Sequence, residues 1–113
     1  MDDRDQIYIK HILDAIATIE GYISGISVEE FYGNKLCQDG VTRELEIIGE
    51  AVKRLTSEYV ASMSAVPWKD IAGMRDKLIH DYISVDLEAV WKTATEDLIV
   101  LKKSLMDAMK RSE

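Results

Sequence analysis

Apolar residues recur at alternating spacings of three and four along the first stretch of the chain, at Ile9, Ile12, Ile16, Ile19, Ile23 and Ile26. That period lays one apolar stripe along an amphipathic helix. Asp2, Asp3 and Asp5 at its start suit the positive end of the helix dipole. Gly21 and Gly25 weaken the last turns, so the chain is expected to leave the helix near residues 25–27. The isoleucine row reads as core, with a dimer seam as the alternative.

Ser27 followed by Glu30 is a capping-box pattern that starts a short helix through Val28, Phe31 and Tyr32. It should stop near Gly33 and Asn34. A second long helix is expected from Asp39, carrying Leu45, Ile48, Val52, Leu55 and Tyr59 on one face. Glu46 and Glu50 lie one turn apart on it, a like-charge pair that costs a few tenths of a kcal/mol. Pro67, which lacks an N–H and fixes its own φ, fits the first turn of a new helix rather than the middle of one. That helix is expected over residues 68–81, burying Ile71, Met74 and Leu78. A last helical region starts near Asp86 and carries Leu87, Trp91, Leu98, Leu101 and Leu105, with a kink expected near residues 93–95. It ends in a polar tail, Lys110, Arg111, Ser112 and Glu113. Nothing alternates with period two for long enough to build a sheet, so the fold class is all-α: a compact bundle of four or five helices forming one domain over residues 1–113.

Composition narrows the partners. The chain has 113 residues, with 14 Lys and Arg against 21 Asp and Glu, a formal charge of −7. Such a balance disfavours broad capture of nucleic acid but leaves room for a small local phosphate site. A chain this short buries a modest share of its surface, so self-association is a sensible way to cover the remainder. The single cysteine, Cys37, cannot form an internal disulfide, and its presence alone fits a reducing, cytoplasmic setting. No apolar run is long enough to span a membrane, and the start of the chain lacks the basic segment of a secretory signal.

Most catalytic signatures are missing: no glycine-rich phosphate loop, no HExxH, no calcium loop. With only His11 and His80, a histidine-rich metal site within one chain is excluded. The informative stretch is residues 73–82, Gly-Met-Arg-Asp-Lys-Leu-Ile-His-Asp-Tyr. It sets the permanent cation of Arg75, the imidazole of His80 and the phenol of Tyr82 within eight residues. Arginine grips phosphate through paired N–H donors, histidine moves protons near neutral pH, and tyrosine stacks on a base. Together they suit phosphodiester chemistry on single-stranded RNA, with the 2′-hydroxyl as nucleophile. On a regular helix, however, five residues rotate by about 500°, leaving Arg75 and His80 roughly 140° apart. One cleft would need a bend at the helix end or a second copy of the chain. The plainer alternative makes Arg75 an ion-pair former with Asp81 or Asp86 and His80 a helix-end residue. His11 reads as a core-edge or surface residue, Trp68 and Trp91 as packing anchors, and Lys102, Lys103, Lys110 and Arg111 as solvated charges.

An ordered set of segments then points further. Residues 43–51 (Arg-Glu-Leu-Glu-Ile-Ile-Gly-Glu-Ala), 66–71 (Val-Pro-Trp-Lys-Asp-Ile) and 74–82 follow one another, and Val85-Asp86-Leu87 and Val90-Trp91 come after. In this order the chain resembles the HepT-like family of small HEPN-superfamily proteins, over nearly its whole length. The resemblance implies a homodimeric HEPN-type bundle whose paired motifs face each other across a cleft. It implies a metal-independent endoribonuclease, without cofactor, acting as a toxin beside a minimal nucleotidyltransferase antitoxin. The family motif Arg-x4-His-x-Tyr carries over as Arg75, His80 and Tyr82. Asp76 takes the polar position after the arginine, where asparagine is a frequent alternative, and would orient Arg75 or His80. By similarity Arg75 and His80 are catalytic, and Tyr82 is the residue to which the antitoxin adds AMP. RNA is the implied substrate; neither DNA nor a membrane is expected as a partner. Two alternatives stand beside this reading: a non-catalytic nucleotide-binding or assembly subunit of a nucleotidyltransferase complex, and a helical scaffold in which the motif only packs.

Overall fold

The computed structural model describes residues 2–111 and is helical throughout, with no strand among those residues. Met1 at the start, and Ser112 and Glu113 of the expected polar tail, lie outside the described residues. Seven α-helices follow in order: α1 (Asp3–Ile23), α2 (Val28–Tyr32), α3 (Lys35–Arg54), α4 (Ser57–Ala61), α5 (Trp68–His80), α6 (Leu87–Lys92) and α7 (Leu98–Arg111). A π-helical turn over Thr93–Asp97 joins α6 to α7 in one continuous rod. Four long rods and two short helices therefore make up the bundle. None of its helices is long and apolar enough to cross a membrane, among the described residues.

The apolar rows meet as their spacing predicts. Ile9, Ile12, Ile16 and Ile19 of α1 are buried against Val41, Leu45 and Ile48 of α3 in one continuous core, while Ile23 and Ile26 are half-buried at its edge. Ile71, Met74 and Leu78 supply the share of α5, and Val90, Leu98, Leu101 and Leu105 that of the last rod. Each fully buried side chain of this size contributes about 1.5–3 kcal/mol. The Ser27–Glu30 capping box is present in both directions. It places Phe31 fully inside, where its ring packs on Trp91 at a centroid distance of 5.1 Å. Trp68 donates its indole N–H to the carbonyl of Met63 at 3.0 Å, so both tryptophans anchor packing.

Two boundaries differ from the sequence expectation. Helix α3 begins at Lys35 rather than Asp39, because the Asn34 side chain caps it by accepting from the Cys37 N–H. Gly40 is then an interior residue. A Cβ there would come within 2.8 Å of the Tyr22 ring, so the glycine admits a ring from α1. The other difference is Tyr59, which does not continue the α3 row but sits on the separate helix α4.

The cause of that break is a buried carboxylate. Asp5, 2% exposed, accepts hydrogen bonds from both the backbone N–H and the hydroxyl of Thr56, at 2.8 and 2.7 Å. The Thr56 hydroxyl in turn caps α4 by accepting from the Tyr59 N–H. One acid at the start of α1 thus fixes where α3 ends. Sequence reading gave Asp5 only a role toward the helix dipole.

The π-helical turn corrects a phase error. Val90 and Leu98 are eight residues apart, about 800° on a regular helix, which would leave them roughly 80° out of line. Taking up one extra residue in a wide turn brings them to within about 20°. Both are buried. The irregularity falls where the sequence suggests a kink, and Thr95 within it returns its hydroxyl to the Trp91 carbonyl at 2.7 Å.

Because both Thr56 bonds end on a buried charged group, Asp5→Ala is expected to cost about 2–4 kcal/mol in urea unfolding. A loss under 0.5 kcal/mol would show that water replaces the carboxylate there without penalty.

Candidate active site

Helix α3 lies between α1 and α5, and its contact with α5 is set by a glycine. A Cβ on Gly49 would stand 2.2 Å from the Arg75 Cβ and 3.3 Å from the Ile71 carbonyl oxygen. No side chain fits there, so the two helices approach backbone to side chain. Arg75 leaves α5 at the point of closest approach.

Around that point the two helices are laced by charge. Arg75 pairs through Nη2 with Glu50 of α3 and through Nη1 with Asp76 of its own helix, both at 3.2 Å. Lys53 of α3 pairs with Asp76, and Arg54 donates from Nε to the second oxygen of Glu50 at 3.1 Å. Hydrogen bonds from Lys53 and then Arg75 hold the Asp76 carboxyl below its ordinary pKa. Glu50, followed by Tyr8, pushes Arg54 above its own. These pairs are part-exposed and screened by water, so they add little to stability. Their stronger effect is geometric: they fix a guanidinium whose side chain is only 26% exposed. Its Nε–H is buried and finds no acceptor among the described residues. The partners are not Asp81 or Asp86, because those residues lie beyond the last turn of α5 while Glu50 stands across the Gly49 contact.

Arg75 opens into a groove of about 290 Å³ floored by α3 and walled by α1 and α5. Glu46, Ile47 and Glu50 form the floor, Ile79 lies beside Arg75, and Tyr8 and His11 face them from α1. His80, the last residue of α5, is exposed and does not line this groove. Tyr82 lies on the turn that follows and borders a second cleft, of about 360 Å³, with Leu78, Ile83 and Val85. Glu46 borders both. Within one chain, then, the motif does not converge: Arg75 faces one groove, Tyr82 borders another, and His80 stands on the outer surface. Helix α5 stays regular through His80, so no bend removes the 140° between Arg75 and His80.

Two groove residues carry chemistry that sequence reading set aside. His11 stands edge-on to Tyr8, with ring centroids 6.1 Å apart and an interplanar angle of 88°. Arg43 stands at the end of the α3 floor. The signal was present as spacing: Arg43, Glu46, Ile47 and Glu50 share one face of α3, and Tyr8 and His11 share one face of α1. Among the described residues no group of three or more His, Cys, Asp or Glu is arranged to hold a metal ion.

An all-helical bundle carrying Arg-x4-His-x-Tyr at the end of a helix, with its arginine fixed in a groove, defines the small HEPN-type class. The comparisons carry this to a family. A family model described as Ribonuclease HepT-like matches residues 12–108, and the chain belongs to the HepT-like ribonuclease family. It is 43% identical over 95 residues to the "Probable ribonuclease HepT" of Thermococcus cleftensis, covering 84% of this chain and 86% of that one. It is 40% identical over 106 residues to a protein of Caldanaerobacter subterraneus subsp. tengcongensis provisionally named an RNase, covering 94% and 95%. A Methanocaldococcus jannaschii protein, named a gamma-glutamylcyclotransferase and provisionally an RNase, is 40% identical over 104 residues; the match covers 92% of this chain but 47% of that longer protein. No solved structure matches the chain.

Two measurements test this geometry. Gly49→Ala should gain helix propensity of about 1 kcal/mol yet destabilise the protein by about 1–3 kcal/mol net, since the added methyl must push α5 outward. An equally stable variant would mean that α5 moves freely. The ion pair at Asp76 lends stability that is full above the ordinary carboxyl pKa of 3.8 and is lost as pH falls through the depressed native value. Asp76→Asn should therefore lower the melting temperature at pH 7 and leave it close to wild type in strong acid. A gap that persists unchanged at acid pH would remove the ion pair as its cause.

Proposed function

We propose that this protein is a metal-independent endoribonuclease, the toxin of a toxin–antitoxin pair, acting in the cytoplasm as a homodimer. Arg75 and His80 from the two chains surround one scissile phosphate. What carries the reading is membership of the HepT-like family together with a guanidinium fixed at the mouth of a groove. The divergence of Arg75 and His80 within one chain supports a site completed by a second copy. So do the exposed apolar side chains Ile79, Tyr82 and Ile83 at the same end of α5.

In this reading the RNA 2′-oxygen attacks the adjacent phosphorus, and the bond to the 5′-oxygen breaks. One His80 imidazole takes the 2′-hydroxyl proton, and the partner subunit's His80 gives a proton to the departing 5′-oxygen. The products are a 2′,3′-cyclic phosphate and a 5′-hydroxyl. Arg75 offsets the charge that builds on the phosphoryl oxygens. Asp76 and Glu50 keep its plane in place. DNA, lacking the 2′-hydroxyl, is no substrate.

Tyr82 is 74% exposed on the turn after α5, where a minimal nucleotidyltransferase antitoxin could reach it. AMP on that phenol adds bulk and negative charge beside the site and repels RNA. The net charge of −7 favours a second reading, a nucleotide-binding or assembly subunit without nuclease activity. Tyr82 modification in the absence of any RNA cleavage would select it.

The test uses purified protein and single-stranded RNA in EDTA. Wild type should cleave, and Arg75→Ala and His80→Ala, with unchanged circular dichroism, should be slower by about 10²-fold or more. Equal cleavage by all three, or none by folded wild type, would sink the nuclease reading. With the cognate nucleotidyltransferase and ATP, intact mass should rise by whole AMP units in wild type and stay unchanged in Tyr82→Phe.

A further inference from the structure

The groove that receives Arg75 holds more than a catalytic arginine needs. Its far end carries Arg43, and its α1 wall carries Tyr8 and His11. Both Arg43 and His11 are exposed. Among the described residues the Arg43 side chain has no ion pair or hydrogen bond, and His11 has only its ring contact with Tyr8. The other arginine lining the groove, Arg75, is committed to Glu50, which Arg54 holds from outside the groove. Arg43 is thus a free cation, six residues or about 9 Å along α3 from the Gly49 contact that positions Arg75. Both long guanidinium side chains border the same groove, so two phosphates of one strand lying in it each have an arginine within the lining. Between Arg43 and the Gly49 contact the floor carries Glu46 and Ile47, Ala51 lies just past it, and two aromatic rings stand on the α1 wall.

We propose that the α1–α3–α5 groove is a nucleotide subsite of the RNA strand flanking the cleavage point, with Arg43 on the neighbouring phosphate and Tyr8 and His11 holding its base. The volume, about 290 Å³, is that of a small-ligand pocket. Aromatic rings serve any base through its π-face, and Glu46 in the floor offers an acceptor to a base amino group. Glu50 adds no net repulsion, because two arginines share it. In the subsite a chain with a charge of −7 meets RNA where the balance is locally even: Arg43 and Arg75 stand against Glu46 and Glu50, with the two rings beside them. The assignment of the flanking phosphate rests on the nuclease reading; binding of a single strand in the groove does not.

The experiment measures binding and cleavage separately. A labelled oligoribonucleotide with 2′-O-methyl riboses, which cannot be cut, is titrated against wild type, Arg43→Gln and His11→Ala by fluorescence anisotropy at several salt concentrations. The unmodified RNA is used for cleavage. Arg43→Gln should weaken binding about tenfold and flatten the slope of log affinity against log salt by about 0.7, the signature of one lost phosphate contact on a single strand. His11→Ala should weaken binding about five- to tenfold with the salt slope unchanged, as a lost stack would. In cleavage both should raise KM more than they lower kcat. Wild type that binds in this pattern but cuts nothing keeps the subsite and removes the nuclease. Wild type that cuts RNA while both variants bind as it does, or an Arg43→Gln variant with an unchanged salt slope, overturns the subsite and leaves the nuclease standing. Absence of binding by wild type overturns the subsite whatever the cleavage result.

Discussion

The site depends on how closely α3 and α5 can approach, and Gly49 sets that distance. With no side chain between them, the Cβ of Arg75 occupies the space that a Gly49 side chain would need. Once α5 is held there, its charged neighbours are also fixed. Glu50 and Lys53 reach across from α3, and Arg54 closes the set from one turn further on. A glycine inside a helix costs stability, about 1 kcal/mol against alanine. Here that cost places a guanidinium at a groove rather than out in solvent.

Under the proposed nuclease reading, the charges around Arg75 also ease the conflict between an acidic chain and a polyanionic substrate. Glu50 and Asp76 occupy both terminal nitrogens of Arg75, yet each of these acids has a second basic partner. A phosphate arriving at Arg75 can therefore displace one carboxylate without stranding it, because Arg54 or Lys53 retains the acid. The arginine is kept in position before substrate arrives, and release costs little. A lone buried Arg–Glu pair would lack this exchange.

Much of the fold was legible in the sequence. The isoleucine row of α1, the capping box at Ser27 and the helix start after Pro67 all express local rules, and the structure follows them. Tyr59 and Asp5 were not legible, because they are decided by a hydrogen bond between residues 51 positions apart. Tyr59 continued the α3 period well, and only the tertiary link at Thr56 ends that helix. For the site, the motif was visible as a string but its spatial division was not. Regular helix geometry already implied that Arg75 and His80 diverge, and α5 keeps that geometry to its end. The groove was missed for another reason: Tyr8, His11 and Arg43 look ordinary on their own helices and gain meaning only when α1 and α3 lie side by side.

The wide turn over Thr93–Asp97 has a consequence for how this chain can vary. It acts as a phase shifter between two halves of one rod, so its length is measured in rotation rather than in reach. Deleting any single residue there would restore an ordinary helix and still connect the same ends. Because the turn holds one residue more than a regular helix needs, that shorter rod would keep Leu101 and Leu105 facing the core. Adding a further residue to it would instead screw α7 round by about 100° and bring Val100 and Ser104 to where those leucines now sit. At this one turn the rod can lose a position and keep its faces, but it cannot gain one.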